Sequence, residues 1–430
     1  MTTGPSRATA LGTALALGVV LAVAIAVTTP WRPLAVARRV PPDPTRDFSA
    51  QQIATATRFA HDANLVSLLA IGVTLAVTLV LGLTPLGARL IAGATGWLPT
   101  AWPLRVTAAS VVLVAVGTLV AAPFGAWRET IDRRFGLSVQ TWVGWALDQL
   151  RAFAVGAVTA AVGLVVLVGI ARALPRLWWA AGAVAAALLV AGVSFVYPLV
   201  VEPLFNSFTP MAPGPLRTDL VAMARADGVA VSDVLVADAS RRTTALNAYV
   251  SGFGATRRIV VYDTLLKRPD DEVRLVVAHE LGHAARGDVL HGTLIGAAGA
   301  AAAVCLLGAA LTTPGLLRRA GADGPTDVRV LALVLAVVAI VTTVTGPVQS
   351  LISRRIEARA DVHSLDVTGD AAAFTRAMKQ LGVVNLANPR PNPVLYALYA
   401  DHPSVPERIA MARAWAAARG MAAPPDLAAP

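Results

Sequence analysis

Seven stretches of this chain carry no Asp, Glu, Lys or Arg, and each is long enough to cross a bilayer, which takes roughly 20 helical residues. They run about 8–29, 65–87, 106–127, 152–171, 177–201, 292–317 and 330–353. The remaining composition agrees: 56% of residues are hydrophobic and 14% charged, where a soluble domain carries about a quarter charged. The expected fold class is therefore mainly α, a seven-span helical membrane protein. The first run is too long for a signal peptide, follows only Arg7 and precedes Trp31-Arg32, so a retained anchor is expected.

Arginines bound the spans sharply, Arg105 and Arg128 around the third and Arg151 and Arg172 around the fourth. The formal net charge of +10 is almost all arginine, because lysine occurs only at positions 267 and 379. Charges placed at the ends of apolar runs meet anionic lipid headgroups; the bilayer is the expected partner and nucleic acid is not. The loop after the first span carries Arg32, Arg38, Arg39, Arg46 and Arg58, and the loop after the third Arg128, Arg133, Arg134 and Arg151. Loops on the opposite side carry fewer, so the positive-inside rule puts the N-terminus outside and residues 202–291 in the cytoplasm. The arginine-rich, lysine-poor usage suggests a GC-rich bacterium, hence a bacterial plasma membrane. The single Cys305 lies inside an apolar run and is read as buried and inert.

Residues 202–291 form the first long polar interval and read as a small α/β insertion between spans 5 and 6. A helix is predicted over Arg217–Asp227, strands over Val234–Ala237, Ala245–Val250 and Arg258–Tyr262, and a second helix over Asp270–Arg286. The last span is predicted to run on as a helix through Ser353–Leu365. Residues 386–403 read as a segment broken by proline and asparagine, 404–419 as a surface helix, and 420–430 as a disordered tail.

The chemistry is concentrated in His279-Glu280-Leu281-Gly282-His283. Residues i and i+4 of a helix share a face, so both imidazoles can reach one ion, and Glu280 beside them can take a proton from a water. Chance would rarely place two of the six histidines this way. A catalytic zinc needs a third protein ligand and an open position for water. Glu357, in Glu357-Ala358-Arg359-Ala360-Asp361, lies four residues past the seventh span, and His283 nine residues before the sixth, roughly 14 Å of helix. All three side chains can then meet at one membrane face. Asp361, one turn beyond Glu357, can fix the tautomer of a ligand imidazole. On spacing alone a solvated Glu–Arg–Asp face explains Glu357 equally well.

The pattern of His-Glu-Leu-Gly-His followed by Ser353-Arg354-Arg355 and Glu-x-x-x-Asp resembles the membrane metallopeptidases that include the type I CAAX prenyl proteases and the HtpX heat-shock proteases. The likeness extends through Pro203-Leu204-Phe205-Asn206, Asn247-Ala248-Tyr249, the run Arg258–Leu266, and His402-Pro403 with Arg408. It covers roughly residues 200–420; the seven spans and the His402/Arg408 pair are closer to the CAAX protease branch than to the four-span heat-shock proteases. The resemblance implies an integral-membrane zinc metalloendopeptidase with one zinc on His279, His283 and Glu357. It further implies Glu280 as base, Asn247 and Ala248 on a strand that binds substrate backbone, and His402 and Arg408 as groups that bind substrate and stabilise the oxyanion. Peptides or membrane proteins are the implied substrates, with a quality-control protease as the second reading. A transporter or scaffold is the reading from another class, and it would have no use for Glu280. His61, His291 and His363 match no part of the pattern.

Overall fold

The computed structural model of the chain describes residues 7–34 and 40–428. Arg38 and Arg39, counted above for orientation, lie outside the described residues. The chain begins with α1 (Arg7–Thr28), α2 (Ala50–Leu83), the short α3 (Pro85–Thr95), α4 (Trp102–Arg134), α5 (Trp142–Ala173) and α6 (Trp178–Val196). A π-helical turn at Tyr197–Val201 leads into α7 (Glu202–Phe205). Among the described residues seven helices are long and apolar enough to span a membrane, as the seven uncharged runs require. Several outlast their runs. The seventh, α12 (Leu331–Thr368), has 38 residues, or ~57 Å at 1.5 Å per residue, where a hydrocarbon core needs about 30 Å.

Local chemistry sets the ends. Ser49 and Gln52 form a capping box that starts α2 well before the apolar run. Pro85 stops that helix and opens α3 with Thr84 as its cap. Pro198 and Pro203 withhold two backbone donors, and the fifth span leaves the membrane through the π turn. The sixth span ends earlier than its apolar run: α10 (Asp288–Leu311) stops before Pro314, which opens α11 (Pro314–Ala320). The core of the bundle is largely small and aliphatic, with Ala10, Ala14, Ala109, Ala183 and Ala332 letting helices approach around Trp178 and Trp179.

The polar insertion folds as a four-stranded sheet with helices against it. β1 (Phe208–Pro210), α8 (Pro215–Ala226), β2 (Asp233–Ala237), β3 (Ala248–Ser251), β4 (Arg258–Tyr262) and α9 (Asp270–Arg286) follow one another. The sheet order is β1-β2-β4-β3, with β2 and β4 parallel and both edges antiparallel. β1 escaped the sequence reading because it is three residues long and ends in Pro210, a residue tolerated at a sheet edge. The second predicted strand starts at Ala248 and not Ala245, because the Asn385 side chain takes both the N–H and C=O of Leu246. α9 matches its predicted bounds.

After α12 come α13 (Ala371–Val384), α14 (Pro393–Tyr399) and α15 (Val405–Ala418). Phe374, Met378, Ile409 and Trp415 pack with Leu275 of α9 and with Phe48 from the loop after α1. Two distant stretches of sequence therefore build one extramembranous body. The segment 421–428, expected to be disordered, lies back on that loop: Leu427 and Ala428 donate backbone N–H to the Arg46 carbonyl, and Asp426 pairs with Arg46. Between α1, α5, α6, α10 and α12 lies a cavity of ≈1810 Å3. Its ionisable lining residues are Arg286, Asp288, His291 and Arg359, all from the end nearest the extramembranous body.

Candidate metal centre

α9 starts with Asp270, Asp271 and Glu272 in its first turn and ends with His283 and Arg286 in its last, charges matched to the helix dipole. Its apolar face, including Val273, Val277 and Leu281, is buried against the sheet. That fixes the rotation of the helix and turns His279, Glu280 and His283 toward α12. Gly282 lets α12 come close: a Cβ there would stand 3.0 Å from the His363 side chain. His363, one of the unmatched histidines, is held in that contact by Asp227, 2.9 Å from its Nε2.

Three ligand atoms converge. His279 Nε2 is 3.1 Å from Glu357 Oε2, His283 Nε2 is 3.5 Å from Glu357 Oε1, and the two Nε2 atoms are 3.2 Å apart. One donor atom from each of His279, His283 and Glu357 lies within 4.8 Å of the others. The far nitrogens are engaged elsewhere. His279 Nδ1 donates to Asp361 Oδ1 at 2.9 Å, and His283 Nδ1 donates to Asp288 Oδ2 at 2.9 Å. An ionised carboxylate only accepts, so each ring carries a proton on Nδ1, and Nε2 is the atom turned inward that could bind a metal once it gives up its own proton.

The electrostatics call for positive charge at this point. Burial disfavours an imidazolium at both rings, yet Asp361 and Glu357 raise His279, and Asp288 and Glu357 raise His283 to about 10. Burial pushes the Glu280 carboxyl up as well, against the pull of the two histidines. Two imidazole nitrogens and one carboxylate, oriented by outer carboxylates, are the donor set of a catalytic zinc site with room for a further ligand. The residues fit a divalent transition metal, and its binding would displace the protons these rings otherwise hold.

His402 and Arg408 were expected together on the substrate side, and they separate. His402 is about half exposed; its Nε2 reaches Glu357 Oε2 at 3.2 Å and its Nδ1 Asp401 at 2.9 Å. Arg408 lies behind the site instead. Its Nε donates to Asp361 Oδ2 at 2.8 Å, a second bond joins its Nη2 to Oδ1, and the Asp361 side chain is 0% exposed. The guanidinium is drawn there because a buried carboxylate requires a partner. Ala248 is buried on β3, and Asn247 is exposed just before that strand, at the sheet edge. His61 pairs with the adjacent Asp62, and His291 lines the cavity.

Two participants were missed in the sequence. Asp288, which holds His283, is itself held by Arg359. Its sequence signal is only the Gly-Asp after the motif: Gly287 takes a left-handed conformation (φ 65°), stops α9 and folds Asp288 back against the ring five residues earlier. Arg354, part of the pattern quoted above but given no role there, is the other; it binds backbone carbonyls of Tyr396 and Ala400 at the end of α14.

Two family models match this chain, peptidase family M48 at residues 214–416 and the CAAX prenyl protease N-terminal region of five membrane helices at residues 32–207. An uncharacterized metalloprotease of Bacillus subtilis, YhfN, is 28% identical over 324 residues, covering 73% of this chain and 75% of the relative. The CAAX prenyl protease 1 homolog of Arabidopsis thaliana is 31% identical over 220 residues, half of each chain. CAAX prenyl protease 1 of Saccharomyces cerevisiae is 28% identical over 177 residues, 40% of this chain and 39% of that one. The crystal structure of S. mikatae Ste24p superposes with a TM-score of 0.74 at 19% identity, covering 95% of this chain and 99% of that one.

Proposed function

Since this chain belongs to the membrane metallopeptidases of family M48, we propose that it is a zinc endopeptidase that cleaves peptide bonds at the centre formed by His279, His283 and Glu357. The observation that carries the reading is the convergence of those three side chains, with both imidazoles oriented from behind by carboxylates. Zinc, when bound, would supply Lewis acidity that eases ionisation of the attacking water and polarises the scissile carbonyl.

The chain's own residues do the rest. Glu280 stands beside both rings on α9, and its carboxyl, raised by burial, is placed to accept the water's proton and return it to the leaving amine. Asp361 and Asp288 keep the ligand rings from turning. Half-exposed His402, with Nε2 against Glu357, is placed to donate to the carbonyl oxygen as negative charge develops on it. β3 lies at the sheet edge and α9 packs beneath it, so an extended peptide pairing from Asn247 onward would lie along the centre. The substrate is a peptide or a membrane protein presented at the bilayer.

Purified protein should carry about one zinc per chain, lost in His279→Ala and in His283→Ala. Glu280→Gln should keep the metal and lose turnover by 10⁴-fold or more, the upper end of what a general base contributes (~10²–10⁴). Full zinc stoichiometry in both histidine variants, or Glu280→Gln within about tenfold of wild type, would refute the assignment.

A further inference from the structure

Each ligand imidazole ends on a carboxylate–arginine pair. Behind His279 stand Asp361 and Arg408; behind His283 stand Asp288 and Arg359. The two pairs have different surroundings. Asp361 and Arg408 are enclosed by protein, with side chains 0% and 12% exposed, while Asp288 and Arg359 are 12% and 25% exposed and both line the large cavity.

We infer that Asp288 and Arg359 form a second positioning pair, which sets the tautomer and ring plane of His283 from within the cavity wall. This rests on the zinc reading above and goes beyond it. α12 carries a cavity-lining stripe at helical spacing, Thr345, Gln349, Ile352, Ile356 and Arg359, and Arg359 is its last member. α10 carries a matching stripe through Gly292, Ile295 and Gly299, and Asp288 is its first. The pair therefore closes the end of the cavity where its two walls converge. Asp288 also occupies the first position of α10, where the helix dipole favours an anion, and so has two reasons to stay ionised besides Arg359: that dipole and the His283 Nδ1–H. A single helix, α12, thus supplies from three alternate positions the ligand Glu357, the arginine behind one imidazole, and the carboxylate behind the other.

Outer carboxylates of this kind typically contribute about 10–100-fold in metal affinity. Zinc affinity of the full-length protein in detergent, measured by competition with a chromogenic chelator, is the primary readout; the visible spectrum of the cobalt-substituted protein is the second. Asp288→Ala should weaken zinc by about 10–100-fold and alter the cobalt bands. Asp288→Asn keeps an acceptor for Nδ1–H and should weaken it less. Arg359→Ala should fall between wild type and Asp288→Ala, and Arg359→Lys should recover part of the loss. Asp227→Asn, which breaks the neighbouring His363 pair without touching a ligand, should bind zinc as wild type does. Thermal stability identifies any variant that fails to fold, and Asp288→Asn with Arg359→Lys then carries the test. Wild-type affinity and cobalt spectrum in folded Asp288 and Arg359 variants would overturn the inference, whereas a wild-type chain that takes up no zinc would overturn the function it rests on.

Discussion

His402 and Arg408 are six residues apart, with Pro403 and Pro406 between them, and they face opposite sides of Glu357 and Asp361. Their removal should therefore fail in different ways. His402 is half exposed and its Nε2 touches the Glu357 carboxylate, so His402→Ala should keep zinc and thermal stability while lowering turnover by about 10²–10³, the usual cost of one oxyanion donor. Arg408→Ala leaves buried Asp361 without its counter-ion, held only by the His279 Nδ1–H. It should destabilise the protein by about 3–5 kcal/mol and weaken zinc, because Asp361, no longer fixed by the guanidinium, orients His279 less firmly. Melting, zinc content and steady-state rates of the two variants separate these outcomes; a stable, zinc-replete, inactive Arg408→Ala would return Arg408 to the substrate side. The pairing of His279 with His283 was legible because residues i and i+4 of a helix share a face, whereas spacing left Glu357 open and the resemblance pointed to it. Asp288 was not legible. Its approach to His283 depends on the left-handed turn at Gly287, and Gly-Asp after a helix reads as an ordinary stop.

The spans were legible as elements because lipid leaves backbone groups no partner outside the helix, so an apolar run of that length has one outcome. Their ends were not, since a cap, a proline or a polar extension sets them: Ser49 for α2, Pro314 after α10, and the solvated last turns of α12. The least legible element near the site is α14, a seven-residue helix inside a stretch that reads as broken. It is held by tertiary bonds from α12. Arg354 donates to the Tyr396 carbonyl at 2.9 Å and to that of Ala400, its guanidinium lies 4.8 Å from the Tyr396 ring centre, and Ser350 Oγ donates to Leu398 at 3.2 Å. Arg354 sits one turn before Glu357, so the turn that offers the ligand also anchors the segment that delivers His402. Arg354→Ala should free residues 393–402, seen as faster amide exchange there, and lower turnover with zinc retained. Lysine should rescue poorly, since one ammonium cannot span two carbonyls and stack on a ring. Combined with His402→Ala the losses should be far from additive, because both act through one imidazole. Additive losses would mean that Arg354 supports something other than His402.

At the scale of the whole molecule, the seven spans place the connections at two ends. The extramembranous body shares its end with the loop after α1, through Asp47 and Arg413, and with the turn between α4 and α5, where Val139 donates to the Arg242 carbonyl. The opposite end is built from α3, α11 and the segment leading into α12, where Arg329 pairs with Asp323 and Asp327. Arg32, Arg46 and Arg58, and Arg128, Arg133, Arg134 and Arg151 around the turn from α4 to α5, lie toward the body; Arg89, Arg105, Arg172, Arg176, Arg318, Arg319 and Arg329 lie away from it. By sequence, the two loops on the body's side hold nine arginines and the three on the far side seven, and on the positive-inside rule we propose that the body faces the cytoplasm and the N-terminus the outside. Cysteine labelling tests this from a Cys305→Ala background, a mild change because it removes one sulfur atom from a buried site. Ser232, exposed before β2, reports the body, and Thr326, exposed between α11 and α12, reports the far end. Gly321 would be a poorer reporter: its φ of 72° strains any side chain, and a Cβ would stand 3.1 Å from that of Ala88. A membrane-impermeant maleimide added to intact cells should modify Thr326→Cys and spare Ser232→Cys until the cells are permeabilised. Labelling of Ser232→Cys in intact cells would invert the orientation, and the candidate metal centre, tied to the body through α9, would then face the outside.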